Sequence, residues 1–94
     1  MARDMIAVRR LIWDAWNVGH IARHHVAPAE VEEVCHGQHI LRQAYEGRLM
    51  LIGPTQLGRM LAVVLEPELE EVYYVVTARP ASRRERRLYQ EESR

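Results

Sequence analysis

The sequence predicts an α+β domain, with two N-terminal helices and a C-terminal helix packed on a small antiparallel sheet. Three observations carry that expectation. Apolar residues between 15 and 36 recur at helical spacing between helix-starting and helix-stopping residues; residues 40–78 switch to β-favouring runs broken by turns; and Ser82 with Glu85 opens a polar, arginine-rich helix. The 94 residues suffice for one hydrophobic core and are too few for two, so a single domain over 1–94 is expected.

The segment from Arg9 to Asp14 reads as a short strand ending in Trp13. From Ala15 to His24 the spacing becomes helical. Val18, Ile21 and Ala22 stand at i, i+3 and i+4 and are expected to face the core, while Asn17, His20 and His24 cluster to one side of that stripe. Pro28 near a first turn, acidic Glu30, Glu32 and Glu33 near the positive helix end, and Gly37 as a stop signal a second helix. Val31, Val34 and Cys35 form its buried stripe.

Four strands should follow as an antiparallel meander: Ile40 to Tyr45, Arg48 to Gly53, Arg59 to Glu66 and Glu71 to Ala78, separated by turn-rich stretches such as GPTQLG. The last two hold MLAVVL and VYYVVTA, nearly continuous runs that suit central strands covered on both faces over part of their length. Ser82 and Glu85 make a capping-box pattern, so the last helix should run from about Arg83 to Glu92. Met1 to Asp4 and Glu92 to Arg94 are expected to be loose ends.

Composition narrows the classes of function. No apolar stretch approaches the roughly 20 residues that cross a bilayer, the N-terminus lacks a secretory run, and the lone Cys35 cannot form an internal disulfide. A cytoplasmic setting is expected, with Cys35 packed as a small apolar residue. The net charge of zero argues against the whole-surface positive field of a strong nonspecific nucleic-acid binder. The distribution is uneven, however. All 13 basic residues are arginine, and six of them fall between Arg79 and Arg94 against the acids Glu85, Glu91 and Glu92.

The stretch HIARHH, His20 to His25, admits three readings. His20 and His24 one turn apart match half of a zinc site, but a third ligand would have to come from His36 or His39 by the fold, and Ile21 stands where a zinc protease places glutamate. No metal site or cofactor is expected. An acid/base site on a phosphodiester suits histidine, which exchanges protons near neutral pH. The third reading is a helix surface that happens to carry histidines, and spacing alone leaves it open.

Arginine supplies the fixed positive charge that a phosphoryl transition state requires. Arg79 follows an apolar run at a strand end and Arg59 follows the Gly58 turn at the start of the neighbouring strand, so an antiparallel pairing is expected to bring the two together. Arg83 and Arg87 at i and i+4 share one helical face, a like-charge pairing that points to an anion unless Arg87 pairs with Glu91. A non-catalytic module that docks RNA or an acidic protein on this face is the alternative. Only Tyr89 places an aromatic ring among these basic residues.

Taken in order, Trp13-Asp14, the helix end Arg23-His24-His25-Val26, Gly58-Arg59 before MLAVVL, and Thr77-Ala78-Arg79 before SRRERRLY resemble the BrnT family of bacterial type II toxins over almost all of Arg10 to Glu92. The resemblance implies a RelE-like fold and a metal-independent endoribonuclease that inhibits translation. It also implies a BrnA-like antitoxin of ribbon-helix-helix type, through which alone operator DNA would be bound. Carried onto this chain, it makes His24 the proton-transfer group and Arg59 and Arg79 catalytic cations; His20 stands where the family often has asparagine and is the other candidate by its own chemistry, and Arg79, Arg83 and Arg87 are the expected RNA-binding residues. The family's early lysine has no counterpart here, so an arginine or His20 must take its place. His25 stands where the family usually has glycine.

Overall fold

A computed structural model describes residues 5–93 of the chain. The elements run β1 (Arg10–Ile12), α1 (Ala15–Ala22), α2 (Pro28–His36), β2 (Ile40–Gln43), β3 (Leu49–Pro54), β4 (Met60–Leu69), β5 (Val72–Pro80) and α3 (Arg83–Glu92), with a single 3-10 turn at Tyr45–Gly47. The predicted class, α+β, is the one observed. Among the described residues no helix is long and apolar enough to cross a membrane.

The sheet order is β1-β5-β4-β3-β2. Strands β2 to β5 form the expected antiparallel meander. β1 departs from it: it pairs in parallel with β5, Leu11 opposite Tyr73, so the sheet is mixed at that edge. The cause is the crossover, because β1 feeds two helices that lie on one face before the chain enters the sheet at its far edge. Hydrophobic spacing marks a strand but not its partner.

Alternation along the strands divides the side chains into two layers. Leu51, Val63 and Ala78 stand in register and point to the face covered by α1 and α2, where Ile21, Val31, Val34 and Cys35 complete the larger core cluster. Ile52, Ala62 and Arg79 form the adjacent row and point to the other face, where Ile40, Ala62 and Ala81 pack with Leu88 and Tyr89 of α3. The β4 run is thus covered on both sides, whereas in the β5 run Val72, Val75 and Ala78 are buried and the other positions are partly exposed. Tyr89 packs on the sheet.

Two expectations are corrected. In α1, Ile21 is fully buried, but Val18 is exposed and Ala22 faces solvent, and the second buried position is Asn17. Asn17 turns the helix because its amide bolts it to the sheet: Nδ2 donates to the carbonyls of Ile12 (2.9 Å) and Val75 (3.0 Å). At the C-terminal end, Glu92 closes α3 and pairs with Arg42, and the Ser93 hydroxyl donates to the Tyr89 carbonyl, so neither is loose. Residues 1–4 and 94, also expected to be loose, lie outside the described residues.

Candidate functional site

Helix α1 owes its position to its first turn. Asp14 and Asn17 cap each other, side chain to backbone in both directions, and the Tyr74 hydroxyl donates to the Asp14 carboxylate (3.0 Å). The helix lasts only to Ala22. His25 then adopts φ +61°, and the Val26 N–H returns to the Ile21 carbonyl (3.2 Å), the bond that closes a Schellman-type end. His25 therefore takes the left-handed conformation that glycine usually supplies.

His20, on the helix, and His24, in the turn that follows it rather than in the helix as expected, lie together, with ring centroids 5.7 Å apart and planes nearly perpendicular. The Trp16 ring stacks on the other side of His20, 4.7 Å between centroids and 8° between planes. Trp16, His20 and His24 thus form a column along α1. Beside it lies a hollow of about 270 Å³ lined by Ala15, Trp16, Gly19, His20 and Arg23. The ring of Trp16 escaped the sequence reading, although its spacing of four residues from His20 was there to find it.

Arg59 is set by the turn before it. The Gly58 N–H donates to the Thr55 carbonyl, Gly58 takes φ +89°, and the Arg59 N–H donates to Thr55 Oγ1 (3.1 Å). Its Nη1 donates to the His25 carbonyl (2.7 Å) and to the Glu30 carboxylate (2.9 and 3.1 Å). The Ala27 backbone N–H, and then Arg59, hold the Glu30 carboxyl below the usual carboxylate range. Arg59 is therefore a clamp between the end of the histidine helix and the start of α2.

Arg79 is held on the opposite face. It forks onto Glu85, Nη1 to Oε1 at 2.7 Å and Nη2 to Oε2 at 2.8 Å. The pair pushes the Glu85 carboxyl down to about 2. Arg79 stands opposite Ala62, whose side chain belongs to the α3 layer, and Arg59 lies three residues before Ala62, so period-two alternation sends it to the α1–α2 layer. The expected meeting of Arg59 and Arg79 does not occur. The antiparallel pairing brings their strand ends to the same end of the sheet, but parity separates the side chains.

On α3, Arg83, Arg84 and Arg87 are exposed and have no hydrogen-bond or ion-pair partner among the described residues. The alternative pairing of Arg87 with Glu91 does not form, which leaves a cationic face that no described residue neutralises by an ion pair. The other histidines are occupied structurally. His39 is buried, with Nε2 accepting from the Ile6 N–H and Nδ1 against the Val34 and Gly37 carbonyls, and His36 pairs with Glu32. Among the described residues no three His, Cys, Asp or Glu side chains are grouped to hold a metal ion. Cys35 is buried in the larger core, and that burial pushes its thiol up to about 12.

No family model and no curated protein matches the sequence. Among solved structures, the crystal structure of the ribonuclease toxin BrnT of Brucella abortus matches with a TM-score of 0.64 and 27% identity, covering 79% of this chain and 97% of that chain. The resemblance expected from the sequence is borne out in three dimensions: this chain is similar to BrnT in fold.

Proposed function

We propose that this protein is the toxin of a type II toxin-antitoxin pair and cleaves RNA without a metal. The observation that carries the proposal is its likeness in fold and sequence to the Brucella abortus ribonuclease toxin. His24, with His20 beside it, takes the proton from a ribose 2′-hydroxyl as its oxygen attacks the phosphorus. The 5′-oxygen leaves and receives a proton, giving a 2′,3′-cyclic phosphate and a 5′-hydroxyl. Histidine performs both transfers near neutral pH, and arginine neutralises the charge that builds on the phosphate oxygens, so this route needs no metal ion.

His24 is favoured as the base because Arg59 donates to the carbonyl of the very next residue, His25. Arg59 and Arg79 already carry carboxylate partners. Arg59, on the side of the sheet that carries the histidines, would meet the scissile phosphate through guanidinium N–H groups that Glu30 leaves open, whereas Arg79, on the other face, would hold the strand farther along. Arg83 and Arg87 have no such competitor and meet the strand first. The antitoxin, a BrnA-like protein of ribbon-helix-helix type, would cover the same cationic face with an acidic segment, and only through it would the toxin reach operator DNA. The toxin acts in the cytoplasm and blocks translation by destroying RNA.

The test is cleavage of a mixed RNA by purified protein in excess chelator, with His24→Ala and Arg79→Ala prepared identically. At least a hundredfold loss in His24→Ala and at least tenfold in Arg79→Ala are expected, with circular dichroism unchanged. Equal cleavage by all three would identify a contaminant and remove the proposal. The carboxylates already on Arg59 and Arg79 favour a second reading, a non-catalytic module that binds RNA through Arg83 and Arg87. It predicts salt-sensitive binding of RNA that stays intact.

A further inference from the structure

Trp16 is 60% exposed and belongs to neither core cluster, so the fold does not account for it. One face of its indole lies against His20, and more than half of the residue is exposed. Arg23, the C-cap residue of α1, stands seven residues further on, about two turns and so on the same side, with its side chain exposed and without a partner among the described residues. Gly19 between them places no side chain in the hollow they share. The result is a flat aromatic surface with a cation next to it, adjoining the histidine pair.

We infer that Trp16 is a stacking platform for an unpaired base of an RNA strand, with Arg23 on a neighbouring phosphate, and that the protein thereby selects single-stranded over duplex RNA. The inference rests on the RNA-cleaving reading and names the form of its substrate. Every base offers a π-face to an aromatic ring, but in a duplex those faces are covered by neighbouring bases. Stacking therefore discriminates strandedness and tolerates sequence. An apolar protein segment would also cover an indole, but the unpaired guanidinium in the same hollow calls for an anion, which a nucleotide strand supplies at every residue.

The test uses a short fluorescein-labelled RNA with 2′-O-methyl riboses, which lacks the attacking hydroxyl and is not cut, both single-stranded and annealed to its complement. Fluorescence anisotropy is measured with wild type, Trp16→Ala and Trp16→Phe. Trp16→Ala is expected to weaken single-strand binding about tenfold while leaving duplex binding unchanged, and Trp16→Phe to keep most of the affinity. Equal single-strand affinity of wild type and Trp16→Ala, an equal loss on duplex, or no binding of the single strand by wild type overturns the inference.

Cleavage of unmodified RNA by the same preparations separates the two claims. Trp16-dependent binding without cleavage upholds the platform and removes the ribonuclease. Cleavage by wild type with no effect of Trp16→Ala on binding does the reverse.

Discussion

Arg79 and Glu85 lock the end of the sheet to the first turn of α3: the same Glu85 Oε1 that accepts Arg79 Nη1 at 2.7 Å also accepts the Ser82 backbone N–H at 2.8 Å. One carboxylate closes the helix cap and the strand-to-helix ion pair together. The reciprocal bond from the Glu85 N–H to Ser82 Oγ completes the capping box.

This joint makes stability depend on pH in acid. The Glu85 carboxyl is lowered from 4.5 to about 2, chiefly by the Arg79 hydrogen bonds. A carboxyl whose pKa is lower in the folded state contributes stability that is fully present above about 4.5 and lost as pH falls through about 2. With Arg79 40% exposed and Glu85 13%, solvent screening reduces the contribution to about 1–2 kcal/mol. Urea unfolding between pH 7 and pH 2 should show a shallower acid loss for Glu85→Gln than for wild type. Parallel curves would place the acid sensitivity elsewhere.

Asn17 should be among the most sensitive polar positions. Its amide satisfies the carbonyls of Ile12 and Val75 and the N–H of Asp14 inside a buried site. Asn17→Ala leaves those groups without partners and is expected to cost about 2–4 kcal/mol by chemical denaturation. A loss below about 0.5 kcal/mol would mean that water reaches the site.

His25→Gly should raise stability. His25 holds φ +61°, where a Cβ is strained and glycine is not, and its ring lies outside the described hydrogen bonds. A gain of about 0.5–1 kcal/mol, or roughly 3–6 °C in Tm, is expected with RNA cleavage retained. A lower Tm would show that the histidine ring itself stabilises the helix end.

Replacement of Arg83, Arg84 and Arg87 by glutamine should weaken RNA binding at low salt and flatten its salt dependence. Three phosphate contacts on a single strand correspond to a slope change of about 2 in log affinity against log salt. An unchanged slope would place the RNA on another face and leave these arginines to a protein partner.

Much was legible in the chain itself. The limits of α2 and α3, the meander and the two-sided cover of β4 follow from period, turn residues and caps, all local properties. So did the proximity of His20 and His24, which one helical turn dictates. The burial of Asn17 was not legible, because helical spacing ranks side chains by hydrophobicity and Asn17 is buried for hydrogen bonds to Val75, 58 residues away. The column that Trp16 starts was missed as well, because only the packing shows that its ring lies outside both cores and against His20.

The sequence by itself determined which elements form and which strands pair in a meander, because those choices rest on neighbours a few residues apart. Tertiary structure alone decided how the arginines are distributed. Strand parity sends Arg59 to Glu30 on one face and Arg79 to Glu85 on the other, while on α3 Arg83, Arg84 and Arg87 are left without a partner among the described residues. A side chain's direction depends on the register with the partner strand, and a shift of one residue reverses it. That register is settled only when the whole sheet closes over its two cores.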